Sequence, residues 1–301
     1  MPITLPPISR RRFMTGSLAA GAAVLGGRRL YGAIEPIDPH RLALLADTHI
    51  SGDRKQVAHG TNMYANMRQV CQELLHLDQL PAEVFFAGDC AYKTGETKDY
   101  ELLTETLTPV REAGLPVHLG LGNHDHRGRF WQTIQDRDSE GAPVENRHLV
   151  VVETPRAKVL LLDSLDKTNQ TPGLLGKPQL AWLAETLDRD PKKPTLIMVH
   201  HNLGKKPHSS GLTDNEALME VILPRRHVKA CIFGHTHVWR LDQRDEMHLI
   251  NLPPVAYVFN KKNPSGWVDL HLSQFGATLQ LHCIEQRHPS DGQKIELSWR
   301  S

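Results

Sequence analysis

The sequence predicts an α/β domain whose strand ends carry its chemistry. Two observations lead there. From Arg41 onward, short apolar runs alternate with helix-period patterns. Five of those apolar runs lead, directly or across a single Gly, into Asp, Asn or His. The chain has 301 residues, 40% of them hydrophobic, which supports an ordinary buried core in one large domain or two small ones. No internal repeat, low-complexity run or linker interrupts residues 36–301, so one domain is expected there.

The first 35 residues stand apart. Ser9-Arg10-Arg11-Arg12-Phe13-Met14 resembles the bacterial twin-arginine signal, in which two arginines precede a bulky apolar pair. Fourteen uncharged residues follow, from Met14 to Gly27. A membrane-spanning helix needs about 20 apolar residues, so this run suits a signal segment. The resemblance implies export as a folded protein by the twin-arginine translocation machinery, to a periplasmic or other extracytoplasmic location. Tyr31-Gly32-Ala33 matches a cleavage site poorly, which leaves an uncleaved membrane anchor open.

Each element of the domain then has its own warrant. Leu42 to Ala46 reads as a buried strand ending at Asp47. Tyr64 to Leu80 has helical spacing of apolar residues. Glu83 to Ala87 is a second strand, ending at Gly88-Asp89. Asp99 to Ala113 is a helix closed by Gly114. Val117 to Leu121 is a strand ending at Gly122-Asn123-His124-Asp125. Residues 128–147 are polar and aperiodic and read as an excursion, as do residues 205–214. Two strands are expected around the turn Thr154-Pro155-Arg156. A helix follows from Gln179 to Asp188, with Pro178 suited to its first turn. Thr195 to Val199 is a strand ending at His200-His201, and Glu216 to Leu223 is a helix. Val228 to Phe233 is a strand ending at Gly234-His235-Thr236-His237. Four more strands are expected: His248–Leu252, Val255–Phe259, Trp267–Leu272 and Ala277–Ile284.

The strand ends matter because, in open α/β sheets, carboxyl ends of strands converge on one crevice. Carboxylate and amide oxygens suit hard cations, and imidazole suits zinc, iron and their neighbours. Asp-x-His and His-x-His let two side chains reach one side of a turn. Glycines 88, 122 and 234 permit tight turns and close backbone approach.

In this order, Asp47-Thr48-His49, Gly88-Asp89, Gly122-Asn123-His124-Asp125, His200 and Gly234-His235-Thr236-His237 resemble the calcineurin-like metallophosphoesterases. The resemblance runs from Asp47 to His237, and the Gly-Asn-His-Asp version is most similar to bacterial cyclic-nucleotide phosphodiesterases. It implies a four-layer α/β/β/α sandwich of two mixed β-sheets flanked by helices. It implies two divalent or trivalent metal ions (Fe, Mn or Zn). Asp47, His49 and His237 would hold the first and Asn123, His200 and His235 the second, with Asp89 bridging. It implies attack on phosphorus by a hydroxide shared between the ions, with His124 as proton donor and Asp125 orienting His124.

Other residues are assigned more loosely. Tyr92, three residues after Asp89, matches the iron-binding tyrosine of purple acid phosphatases, but His49 already fills the position those enzymes lack. Tyr92 is therefore expected to pack or to support a ligand. Arg54, Arg127, Arg129, Lys205 and Lys206 lie in loops after ligand-bearing strands, where they meet either phosphate or solvent. His126 and His201 adjoin the ligands. The balance of 35 Lys+Arg against 34 Asp+Glu argues against a nucleic-acid surface, so a small phosphoester is the expected partner. Cys71, Cys90, Cys231 and Cys283 form no C-x-x-C pair. The expected activity is hydrolysis of phosphate mono- or diesters; the competing readings are a purple-acid-phosphatase-like phosphomonoesterase and a degenerate, non-catalytic binding module, which would be expected to lack one or more of the seven ligand positions.

Overall fold

The computed structural model describes residues 4–5, 7–8, 36–134, 142–203 and 210–301. Two mixed sheets lie face to face. The first has seven strands: β1 (Thr4–Leu5), β2 (Ile37–Leu45), β5 (Leu80–Phe86), β6 (Val117–Leu119), β13 (Gly266–Leu272), β14 (Gly276–Cys283) and β15 (Lys294–Ser298), in the order β1-β6-β5-β2-β13-β14-β15. The second has six: β7 (Val150–Glu153), β8 (Lys158–Leu162), β9 (Thr195–Val199), β10 (Val228–Phe233), β11 (Arg240–Arg244) and β12 (Met247–Asn251), in the order β11-β12-β10-β9-β8-β7. A two-stranded hairpin, β3 (Val57–Ala58) and β4 (Thr61–Asn62), stands beside them.

Strand alternation creates three apolar layers. Along β2, Leu42 and Leu44 face the second sheet; with Phe85 of their own sheet they join one cluster with Val159, Met198 and Ile232 of the second. Ala43 and Leu45 face the opposite way, under helices α1 (Met63–Leu75), α2 (Thr97–Glu112) and α3 (Arg127–Ile134). The second sheet buries its outer face, including Leu160 and Ile197, under α4 (Lys177–Asp188) and α5 (Asn215–Ile222). Helix, sheet, sheet, helix is the four-layer order expected. Each fully buried leucine of these layers contributes about 2 kcal/mol.

The helices begin where side chains can satisfy free N–H groups. Asn62 accepts from Ala65 N at the start of α1. At α2, the Glu96 N–H donates to Asp99, which also accepts from Gly52 N at 2.7 Å. That second bond ties the loop after β2 to the helix layer.

Several elements differ from expectation. Helix α1 stops at Leu75 rather than Leu80: Leu80 joins the parallel ladder of β5 with β2, pairing with Ile37. The polar segment after Gly128 contains most of α3, whose buried residues are Phe130 and Ile134. Residues 255–259 form no strand. Val255 N and Ala256 N instead donate to Ala46 O and Asp47 O, and Asn66 Nδ2 donates to the carbonyls of both residues. Strands β11 and β15, both rich in charged residues, lacked an apolar run to announce them. Within the segment expected to be a signal, Thr4 and Leu5 pair with His118 and Val117; Arg10, Arg11, Arg12 and the run to Gly27 lie outside the described residues. Among the described residues no helix is long and apolar enough to cross a membrane. All four cysteines are free and buried.

Candidate metal centre

The ends of β2, β5, β6, β9 and β10 meet at one edge of the sandwich. Strand pairing continues into the loops: Asp47 N donates to Gly88 O, His49 N to Asp89 O, and Gly234 N to His200 O. The two sheets are then joined by His235 N, which donates to the Asp47 carboxylate at 3.0 Å. Close approach needs glycine. A Cβ on Gly122 would lie 2.2 Å from Asp89 Oδ1 and 2.7 Å from His200 Cδ2.

Backbone strain concentrates here. Asp47, His49, Asp89, His235 and His237 all have left-handed φ, between 45° and 70°. Non-glycine residues take that conformation at a cost, and their clustering marks a site fixed by its surroundings.

Three groups of side chains can each surround a cation: Asp47 with His49 and His237; His49 with Asp89 and His124; and Asp89 with His200 and His235. Asp89 belongs to two of them. Its Oδ2 lies 3.7 Å from His49 Nε2 and 3.3 Å from His200 Nε2, while its Oδ1 accepts the His124 N–H at 2.8 Å. Asn123 Oδ1 is 3.3 Å from His200 Nε2. His49 and His237 bring their Nε2 atoms within 3.1 Å of each other, and Asp47 Oδ1 lies 3.6 Å from His237 Nε2. All seven expected ligands thus sit around one centre.

The rings are oriented from behind. His237 Nδ1 donates to Tyr257 O at 2.5 Å, which leaves Nε2 as the nitrogen turned to the centre. Thr236 Oγ1 donates to Asn251 Oδ1 and fixes the turn between His235 and His237. His201, fully buried, pairs through Nδ1 with Ser164 Oγ at 2.8 Å. His49 Nδ1 and His200 Nδ1 are buried with no hydrogen-bond partner among the described residues.

Electrostatics favour positive charge at the centre. Burial pushes the Asp89 carboxyl up, but His200 and His49 hold it well below the ordinary carboxylate range. Burial disfavours a charged His200, yet the Asp89 carboxylate overrides it and raises the ring to about 9. Burial pushes His235 down to about 4 and His49 well below its ordinary value. A buried cluster of carboxylates, an amide oxygen and imidazole nitrogens fits a hard-to-borderline cation.

Asp125 requires a correction. Its carboxylate does not orient His124; it accepts from Cys90 N, Ala91 N, Gly122 N and Tyr100 Oη, at 2.9–3.2 Å. Four donors around a fully buried carboxylate make it a clamp on the loops. His124 Nδ1 donates instead to Lys93 O at 2.9 Å.

The loop cations are engaged elsewhere. Arg127 binds Asp163 and Leu165 O, Arg129 binds Glu96, and Arg54 binds Glu105. Lys205 and Lys206 lie outside the described residues. His126 N donates to Tyr100 Oη and its Nδ1 accepts from Arg129 N. Tyr92 packs against the group formed by Ala58, Met63, Ala256 and Tyr257.

The sequence reading missed one wall of the site. Tyr257 stacks on His49 with ring centres 5.2 Å apart and planes at 20°, and Phe259 stacks on His237 at 4.6 Å and 25°. Pro253-Pro254, which removes two N–H donors, was the available sign that this stretch would leave the sheet.

Comparison with known proteins agrees. The family model described as Calcineurin-like phosphoesterase matches residues 40–239. The 3′,5′-cyclic adenosine monophosphate phosphodiesterase CpdA of Haemophilus influenzae is 29% identical over 215 residues, 69% of this chain and 73% of that protein. A protein of Arcobacter nitrofigilis named "Probable glycerophosphodiester phosphodiesterase GpdQ" is 26% identical over 203 residues, 64% of this chain and 70% of its own length. In fold, the chain is similar to a dimetal phosphatase from Danio rerio, with TM-score 0.65 and 14% identity over 87% of this chain and 100% of that one. It is also similar to a purple acid phosphatase from yellow lupin, with TM-score 0.59 and 16% identity over 85% of this chain and 52% of that one.

Proposed function

Because the chain belongs to the calcineurin-like phosphoesterase family, we propose that it hydrolyses phosphodiesters of small organic alcohols at a dinuclear metal centre. The observation that carries the reading is the two-sided position of Asp89, whose Oδ2 faces His49 on one side and His200 on the other. Asp47, His49 and His237 would hold one ion, and Asn123, His200 and His235 the other, with Asp89 able to serve both. Iron, manganese or zinc bound there would supply positive charge that attracts a phosphate and makes water a better nucleophile.

The protein's own groups do the rest. His124 is half-buried, with Nδ1 fixed on Lys93 O and its ring 5.2 Å from that of His49. In the imidazolium form, with Nδ1–H on Lys93 O, Nε2 also carries a proton and would pass it to the departing oxygen, leaving the neutral ring. The relatives named as phosphodiesterases favour diesters over monoesters as the substrate class.

The test is elemental analysis of protein purified without added metal, followed by a panel of mono- and diesters with Mn²⁺. About two ions per chain and turnover of diesters are expected. A single ion, or no turnover of any ester, overturns the proposal; bound metal without turnover points to a non-catalytic module. We also propose export by the twin-arginine route. Replacing Arg10 and Arg11 with lysine then leaves the protein inside the cell, and unchanged export of that variant defeats the idea.

A further inference from the structure

The side chains of Phe259 and His59, backed by the buried ring of Tyr257, form a wall beside the candidate centre that supplies no metal ligand, and the geometry points to it as the recognition surface for a planar aromatic group on the substrate. The inference rests on the reading of the site as a phosphoester centre and narrows its substrate class.

A solitary exposed hydrophobe is ordinary. Phe259 is 64% exposed, but its ring is stacked on His237, so it stands directly beside the candidate centre. His59 lies 4.5 Å from the Tyr257 ring and meets Phe259 edge-on at 5.3 Å. Val57, 52% exposed, extends the apolar rim on the same hairpin. The adjoining groove has a volume of about 500 Å³ and is lined by His59, Thr61, Tyr257, Phe259, Lys261 and His288. That is room for a flat ring system.

The wall is also held rigidly. Backbone bonds from Val255 N and Ala256 N reach the Ala46 and Asp47 carbonyls, Asn66 grips the loop, and Tyr257 O receives His237 Nδ1. The aromatic faces therefore keep a fixed distance from the phosphate position. An exposed aromatic face held in place before binding offers stacking at little ordering cost, and every nucleobase has a π-face to offer it. A glycerol group has none.

The test pairs kinetics with binding in the metal-loaded protein. Phe259→Ala is compared with the unaltered protein on cyclic adenosine monophosphate and on a glycerophosphodiester. The expected result is a KM for the purine ester raised about tenfold, with kcat and glycerophosphodiester turnover little changed. Phe259→Trp restores the purine KM. Calorimetry with adenosine 5′-monophosphate and with inorganic phosphate is independent of hydrolysis. Phe259→Ala weakens the nucleotide about tenfold and leaves phosphate unaffected. Equal losses for both esters, equal losses for nucleotide and phosphate, or an unaltered purine KM would overturn the inference. If neither ester is hydrolysed but the nucleotide alone binds more weakly, the catalytic reading falls and the stacking surface stands.

Discussion

The two halves of the metal centre are built differently. The half around Asp47, His49 and His237 is made from turns: all three residues have left-handed backbone, and aromatic rings from an irregular loop press on its imidazoles. The half around Asn123, His200 and His235 is closer to regular structure, with His200 directly following β9 and Ser164 bracing His201 from the neighbouring strand end. Only His235 of that second trio is left-handed. The first half thus depends on the backbone of residues 255–257 keeping its place, and the second more on the ends of the sheet strands.

The largest expected effect comes from removing what the halves share. Asp89→Ala should empty both positions and lower turnover by on the order of a thousandfold, measured by elemental analysis and ester hydrolysis. Retention of one ion would mean that the halves are independent. His124→Ala should keep both ions and slow turnover on the order of a hundredfold, chiefly for esters with poor leaving groups. Equal effects on good and poor leaving groups would remove its acid role.

A sharper cut separates the halves. Asn66→Ala frees the carbonyls of Val255 and Ala256, so it should weaken metal binding in the first position about tenfold. Ser164→Ala should act on the second position instead. Metal titration that shows the same two steps in both variants would contradict the division.

A separate effect, on stability rather than on metal or turnover, contrasts these imidazoles with one that needs no metal. His148 Nε2 donates to Leu119 O at 2.6 Å, its Nδ1 faces Trp131 Nε1, and burial pushes the ring down to about 4. The folded protein therefore refuses a proton that the unfolded chain accepts below about 6.5. Stability from this group is complete above that pH and is lost as pH falls toward 4, by about 3 kcal/mol in all. Denaturant unfolding of the unaltered protein and of His148→Gln should converge across that window. Parallel curves would show that His148 is not responsible.

Legibility in the sequence followed the same division. The strands leading to Asp47, Asp89, Asn123, His200 and His235 were announced by apolar runs and by the residues after them, and the four layers were implied by the family resemblance those residues carry. Asp125 was misread because adjacency suggested a partner for His124, whereas its partners come from Cys90, Ala91, Gly122 and Tyr100. Tyr257 and Phe259 looked like a strand because their period is two; what removed them from the sheet was two prolines and the hydrogen-bonding demands of Asn66, Ala46 and Asp47. Such long-range bonds leave no local trace.

The thiols carry a last consequence. All four are unpaired and buried, and burial pushes Cys71 and Cys283 up to about 12. A thiol held protonated and shielded reacts slowly with oxidants. The architecture thus owes nothing to a sulfur crosslink, and the molecule would be equally finished in reducing or oxidising surroundings.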